Sequence, residues 1–377
     1  MSVFKMFLIS SLLLLLPTGS RASAQTTLPP VLSIDDAVAA AMKGNRRVQS
    51  SVLDVSRASE GTADVKTQRL PHFQAYLLGG GALNAINFTI PQGTLGAYAG
   101  IGPIPGQNAK ISTPQTFTGL GLGQATQPVS QLWKVHLAIL ESKLGEDLAQ
   151  QSLRRQRQDT ARSVRDLYYQ IAQTQTQIES TKANIKYLAD LQDETDRNLA
   201  EQAALKGESL AVKAKLSQQR YQLLTLRDSL EVEKESLNQL LGRDLSTEFS
   251  VETQPVPANV EVDIAAARQE ALRQRAEIRE AHLQTNKAEV EVRRQRAEYI
   301  PDFSANFTYL SLPNVSFLPQ NVLQAGFLFQ WQPFDWGQKR HKVESLKDSI
   351  KQTILTEQDA EQQVMVDVKS KFSRSFR

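Results

Sequence analysis

The chain has 377 residues, with 43 Lys and Arg against 40 Asp and Glu, and no cysteine. Both signs of charge are mixed throughout, which argues against a dedicated nucleic-acid binder that would cluster its cations on one face. Without cysteine there is no disulfide, no thiolate metal site and no Cys for lipid attachment.

Residues 1–24 read as a signal peptide. Lys5 supplies a positive start, Phe7 to Leu16 an apolar stretch, and Ala22-Ser23-Ala24 a small-residue cleavage site before Gln25. The alternative is a membrane anchor, but the apolar run is shorter than the roughly 20 residues a spanning helix needs. No later stretch is long and apolar enough for a helical span.

The rest contains one unit twice, a first copy over 25–260 and a second over 261–377. Ile34, Ala37, Ala41, Met42, Val48, Ala58, Lys66, Leu70, Pro71 and Phe73 match Ile264, Ala267, Ala271, Leu272, Ile278, Ala288, Arg296, Ile300, Pro301 and Phe303 at one constant separation. A second match follows at another spacing: Gln127-Pro128 with Gln332-Pro333, Lys134 with Lys339, and His136 with His341. Each copy reads helix, proline-marked corner, hairpin, helix.

In the first copy, Ile34 to Leu70 reads as helix, with Asp35 and Asp36 in its first turn, a break at Gly44-Asn45, and Pro71 as its stop. Strands are expected over about 72–126, with Phe73 to Gly81 and Thr116 to Gln124 alternating weakly. Between them, Ala82 to Gln115 reads as a long loop. From about Ser130 to Glu201 the chain reads as one helix, on the order of 100 Å long at ~1.5 Å per residue. A heptad register runs through it at Val164, Leu167, Ile171, Thr174, Ile178, Thr181, Ile185, Leu188, Gln192, Thr195 and Leu199. A returning register runs Val212, Leu216, Gln219, Leu223, Leu226, Leu230, Glu233, Leu237 and Leu240. Leu205, Lys206, Gly207, Glu208 and Ser209 break the pattern as a turn, with Ser209 as the cap of the returning helix.

The second copy has a matching helix from Asp263 to Ile300, ended by Pro301. Then the period becomes two. Phe303, Ala305, Phe307 and Tyr309 alternate with Ser304, Asn306 and Thr308; Leu323, Ala325, Phe327, Phe329 and Trp331 alternate with Gln324, Gly326, Gln330 and Gln332. One face is apolar and aromatic, the other polar and small, apart from Leu328. A soluble sandwich turns the apolar face to a core, whereas a membrane barrel turns it to lipid. About four such strands, flanked by rods that supply no covering layer, favour the barrel. Phe303, Phe307, Tyr309, Phe327, Phe329 and Trp331 are then lipid-facing, and Phe334 and Trp336 join an interfacial aromatic girdle. Four strands cannot close a barrel, and an open edge in lipid costs several kcal/mol per unpaired group. The chain must therefore oligomerise: three copies give twelve strands, and four would also close.

Signal peptide, tandem helix–hairpin–helix repeat and overlong coiled-coil rods together resemble the TolC-like outer-membrane efflux proteins. The more specific local matches are Leu237 to Asp244 at the end of the returning helix, Pro333 to Arg340 at the strand-to-helix junction, and the corners Leu70-Pro71 and Ile300-Pro301. The resemblance implies a mainly α fold with a small β part. Long coiled-coil helices join four strands contributed to a trimeric twelve-stranded barrel in the outer membrane of a Gram-negative-type bacterium. It implies a homotrimer, passive export, a periplasmic adaptor docking at Leu205 to Ser209, an inner-membrane transporter, and no cofactor. After Val368, the equivalent of Val164, the second copy stops within about ten residues. The outer part of its hairpin and the returning helix, which carry the family's gating residues, are expected to be missing.

Two rival readings are an incomplete, non-functional product of such a gene, and a periplasmic coiled-coil scaffold or adaptor. An adaptor has no need of alternating aromatic strands at each repeat corner. No GxSxG, Walker loop or HExxH occurs, and His72, His136, His282 and His341 are scattered without metal-ligand spacing, so no enzymatic or metal site is expected.

Overall fold

The computed structural model describes residues 30–81, 86–113, 117–203, 205–252, 263–313 and 319–375. The signal-peptide reading lies outside them. Its elements in chain order are β1 (Val31–Leu32), α1 (Ile34–Gly44), α2 (Arg46–Thr67), β2 (His72–Gly81), β3 (Ile86–Ile90), β4 (Ala97–Tyr98), β5 (Gly102–Pro103), β6 (Ala109–Thr113) and β7 (Phe117–Pro128). There follow α3 (Leu132–Ala200), α4 (Lys206–Leu241), β8 (Ser250–Val251), α5 (Ile264–Gln274), α6 (Ala276–Ala297), β9 (Asp302–Ser311), β10 (Asn321–Gln330) and α7 (Gln338–Ser375). Contacts divide the chain into two compact units.

The first unit contains the N-terminal segment to Ala37, Leu167 to Gln239 and Arg243 to Gln254. Its core is the helical hairpin. Ile171, Thr174, Ile178, Thr181 and Leu188 of α3 are buried, as are Leu216, Glu233 and Leu237 of α4, which is the expected seam. The polar seam positions pair with one another: Thr174 Oγ1 and Gln170 Nε2 both donate to Glu233 Oε1, at 3.1 and 2.9 Å. At the base of the hairpin, Tyr168 is buried. Its hydroxyl donates to Leu32 O at 2.8 Å and accepts from Glu252 N at 3.0 Å. It thereby ties down the parallel pair β1–β8, which the sequence reading missed. Burial raises the Tyr168 pKa. Asn238, fully buried, donates to Leu245 O and Thr247 O and accepts from Arg243, so one amide fixes the chain as it leaves α4.

The second unit contains Val38 to Asp166, Leu240 to Gly242 and Pro255 to Arg377. The helix expected from Ile34 breaks at Asn45, whose Oδ1 caps α2 by accepting from Arg47 N (2.9 Å) and Val48 N (3.3 Å). Asn45 Nδ2 donates to Leu240 O at 2.8 Å. The Gly44 and Gly242 backbones meet here. A Cβ on Gly44 would overlap the Leu241 carbonyl, and one on Gly242, whose φ is +71°, would overlap Gly44 O. Both positions need glycine for the close approach, and Gly242 needs it for the left-handed turn as well. The matching second-copy helix also divides, at Arg275, and Asp263 caps α5.

The sheet of this unit has strand order β10-β9-β7-β2, all pairs antiparallel. Residues 86–113, which the sequence suggested as loop, contain two short strand pairs. β3 pairs with β6, and β4 with β5. Alternation is weak there, at Ala97 to Pro103, because turns dominate and Gly93, Gly96, Gly100 and Gly102 all take positive φ.

Candidate functional site: a two-faced sheet and a hairpin tip

Residues paired across strands point to the same face, so the registers sort the sheet into rows. One face carries Phe73–Ala125–Phe307–Ala325 and, next to it, Ala75–Gly123–Tyr309–Leu323. Phe303, Phe327 and Phe329 continue it, and the Phe303 and Phe327 rings lie 5.6 Å apart. Phe303, Phe307, Tyr309, Phe327, Phe329 and Trp331 are all exposed, Phe327 by 75%. Among the described residues nothing covers this apolar surface.

The other face is polar over much of its height. The row Gln74–Gln124–Thr308–Gln324 contains only amides and a hydroxyl. The next row, Tyr76–Leu122–Leu310–Val322, is apolar, a band that the sequence reading did not resolve because β2 and β7 alternate weakly.

Where strands meet helices, the sequence singled out prolines, aromatics and the repeated Lys134 and Lys339, without naming the partners of either lysine. The structure adds a polar joint. Ser130 Oγ donates to Pro301 O (2.8 Å) and accepts from Phe303 N (2.7 Å), and Gln131 Nε2 donates to Ser304 Oγ at 3.1 Å. Lys134 Nζ lies 2.7 Å from Asp302 Oδ1 and 3.4 Å from Glu298 Oε2. At the other joint, Phe334 and Trp336 are exposed and their rings meet edge to face at 4.7 Å. Trp336 has φ +55°, a conformation rare for a bulky side chain, and Gly337 follows at +86°. Asp335 accepts from Gly337 N and Lys339 N and caps α7.

The hairpin tip differs from expectation. The turn follows directly on α3 at Glu201 and Gln202, with Gln202 at φ +59°, and Lys206 to Ser209 already form the first turn of α4. Ser209 is therefore not the cap. It is buried and donates to Asp196 Oδ1 at 2.6 Å, while Gln192 Nε2 donates to Ser209 Oγ. Bonds from Ser209 and Gln192 hold the Asp196 carboxyl below its usual range. Glu208 Oε2 accepts from Leu205 N at 3.4 Å in the capping role that Ser209 was expected to fill. Leu205 is exposed at the turn. The glycine that suggested a break, Gly207, sits one turn too late because an exposed helix start tolerates it.

Helices α3, α6 and α7 meet through ion pairs. Arg294 Nε lies 2.8 Å from Glu141 Oε2, and Arg155 lies 3.3 Å from Glu280 Oε2. Glu280 is nearly buried, and its pKa is raised by that burial, against the pull of Arg155. His282 Nδ1 and Thr285 Oγ1 both contact Glu357 of α7. Among the described residues no group of three or more metal-capable side chains is assembled, and no helix is long and apolar enough to cross a membrane.

No family model and no curated protein matches the sequence. Solved structures do match the fold. A structure of CusC, solved in work on folding and transmembrane channel formation, is similar over 94% of this chain and 78% of its own, at 12% identity and TM-score 0.71. The Campylobacter jejuni outer-membrane channel CmeC matches 90% of this chain and 72% of its own, at 13% identity and TM-score 0.67. The Vibrio cholerae outer-membrane protein VceC matches 88% and 75%, at 14% identity and TM-score 0.66. The chain has the fold of the TolC-like outer-membrane channels.

Proposed function

We propose that the chain is a subunit of a passive export channel in a bacterial outer membrane. One observation carries this reading: a four-stranded sheet presents a continuous exposed aromatic face, a largely polar opposite face and two edges, β2 and β10. In lipid the apolar face is solvated and the polar face lines water, but edges must be paired. Copies of the chain supply that pairing, and three close a barrel of twelve strands with a water-filled lumen. Phe303, Phe307, Tyr309, Phe327 and Phe329 face lipid, and Trp331 marks the interfacial level. The hairpin of α3 and α4 reaches a periplasmic adaptor through the turn at Leu205 and the first turn of α4, Lys206 to Ser209. The adaptor connects the conduit to an inner-membrane transporter. The role is transport without catalysis, so substrate passes unaltered.

The test is to express the full chain in a Gram-negative host, separate the membranes and reconstitute the purified protein in planar bilayers. Recovery with outer membranes and stepwise conductance are expected. Recovery in the soluble periplasm, or bilayers that stay silent, would sink the reading.

A further inference from the structure

The internal repeat gives a template for the contact between copies. Within one chain, the start of α3 is locked onto the corner that leads into β9. Val129 N and Ser130 N donate to Phe303 O, Ser130 Oγ bridges Pro301 and Phe303, and Lys134 pairs with Glu298 and Asp302. This joint covers the corner: Ser304 is only 6% exposed.

The start of α7 is the equivalent of the start of α3, by the match of Gln332-Pro333 with Gln127-Pro128, Lys339 with Lys134 and His341 with His136. The corner into β2 is the equivalent of the corner into β9, by the match of Leu70-Pro71-x-Phe73 with Ile300-Pro301-x-Phe303. These two halves do not meet in one chain, because β10 and β2 are the opposite edges of the sheet. The β2 corner, where Gln127 Nε2 donates to Arg69 O at 3.0 Å, is more open: Leu70 is 60% and Phe73 78% exposed, against 43% and 37% for their equivalents Ile300 and Phe303. Lys339, lacking a carboxylate, donates instead to its own Gln332 O at 3.1 Å and lies over the Tyr299 ring.

We infer that the start of α7 docks on the corner into β2 of the next copy, repeating between chains the joint that α3 makes within one. This inference rests on the proposed assembly of copies into a closed barrel. At the constant separation of the repeat, Glu298 corresponds to Gln68 and Asp302 to His72. Lys339 therefore meets Gln68 and His72 of the next copy, where Lys134 meets two carboxylates. Trp336 takes the place of Gln131, the residue that reaches Ser304, and so approaches Gln74 of the next copy. The sequence placed Trp336 with Phe334 in a lipid girdle; the template keeps only Phe334 there, in the position of Val129. Trp336 packs edge to face on Phe334 yet stays 88% exposed, which leaves most of its ring surface available for that contact. The two joints of the barrel then differ in kind. The joint within a chain is an ion-pair lock, whereas in the joint between chains the lysine meets no carboxylate on the next copy's corner and an aromatic ring closes the contact.

The absence of cysteine gives a clean background for the test. The full chain carrying Lys339→Cys and His72→Cys is treated in outer membranes with a short bis-maleimide. Crosslinks between copies are expected, and the Lys134→Cys with His72→Cys pair serves as the control that does not link. Separately, His72→Asp supplies the missing carboxylate and raises the temperature at which the assembly dissociates in detergent by several degrees, a gain that Lys339→Ala abolishes. If copies assemble but neither the crosslink nor the Lys339-dependent gain appears, the joint is wrong while the channel reading stands. If no assembly forms in any variant, both are overturned.

Discussion

The hairpin of α3 and α4 and the sheet of β10-β9-β7-β2 both carry an apolar stripe at the period of their backbone, yet only one stripe is consumed within the chain. In the hairpin, Ile171, Ile178 and Leu188 of α3 and Leu216 and Leu237 of α4 are buried. In the sheet, Phe307, Leu323, Phe327 and Phe329 stay exposed. Amphipathicity alone therefore does not say what a segment is for. The hairpin's stripe is narrow, interrupted by Thr174, Thr181 and Glu233, and answered by a partner helix of matching register. The sheet's stripe is wide and aromatic, and among the described residues no element covers it, as the proposed contact with lipid requires.

The sharpest way to break this comparison is to truncate one residue of each stripe. Leu237 is completely buried, and Leu237→Ala should cost about 2–5 kcal/mol through lost burial and the cavity left behind. Thermal unfolding followed by the helical circular dichroism signal reads this directly. Phe327→Ala removes more carbon but leaves no cavity, so in detergent it should shift the same transition little. Equal losses would mean that the sheet face has a protein cover.

A charge sharpens the difference further. In a lipid bilayer, Phe327→Arg should cost about 2–4 kcal/mol near the midplane, while Gln324→Arg, on the opposite face, should be tolerated because that face meets water. Refolding into vesicles over a urea series measures both. If the two substitutions behave alike, the assignment of faces falls.

These contrasts also explain how much was legible in the sequence. The seam positions, the corners at Pro71 and Pro301, the break at Asn45 and the faces of β9 and β10 follow from local periodicity and turn chemistry, which a sequence displays. The joints do not. Tyr168 reaching Leu32 and Glu252, Lys134 reaching Asp302, and the Gly44–Gly242 approach link residues far apart in the chain, and each partner by itself looks ordinary. The Ser209 cap failed for a related reason. A serine before an apolar run suggests a cap, but Asp196 across the hairpin claims its hydroxyl, and Glu208 answers Leu205 N instead.

Polar groups provide two smaller tests, one for each unit. Burial raises the Glu280 pKa, so the fold holds that proton more tightly than the unfolded chain does. Stability from this group then falls as pH rises from the ordinary glutamate range through the raised folded value. Glu280→Gln keeps the shape without the charge. It should match the parent at low pH and exceed it at neutral pH, as read by thermal unfolding across a pH series. A variant less stable than the parent at neutral pH would mean that the Arg155 pair outweighs burial.

The smallest effect belongs to Asp196, at the far end of the hairpin from Tyr168. Its carboxylate is exposed, but hydrogen bonds from Ser209 and Gln192 depress its pKa, so its contribution is present above the ordinary aspartate range and is lost as pH falls through the folded value. Because water competes for this site, the loss should be local: faster amide exchange around Gln192 to Ser209 on acidification, with the seam near Ile171 and Leu237 unmoved. Asp196→Asn should show the faster exchange already at neutral pH and lose the acid response. If acidification instead loosens the whole hairpin together, the tip is not a separable element, and the turn proposed to meet an adaptor is as rigid as the seam that carries it.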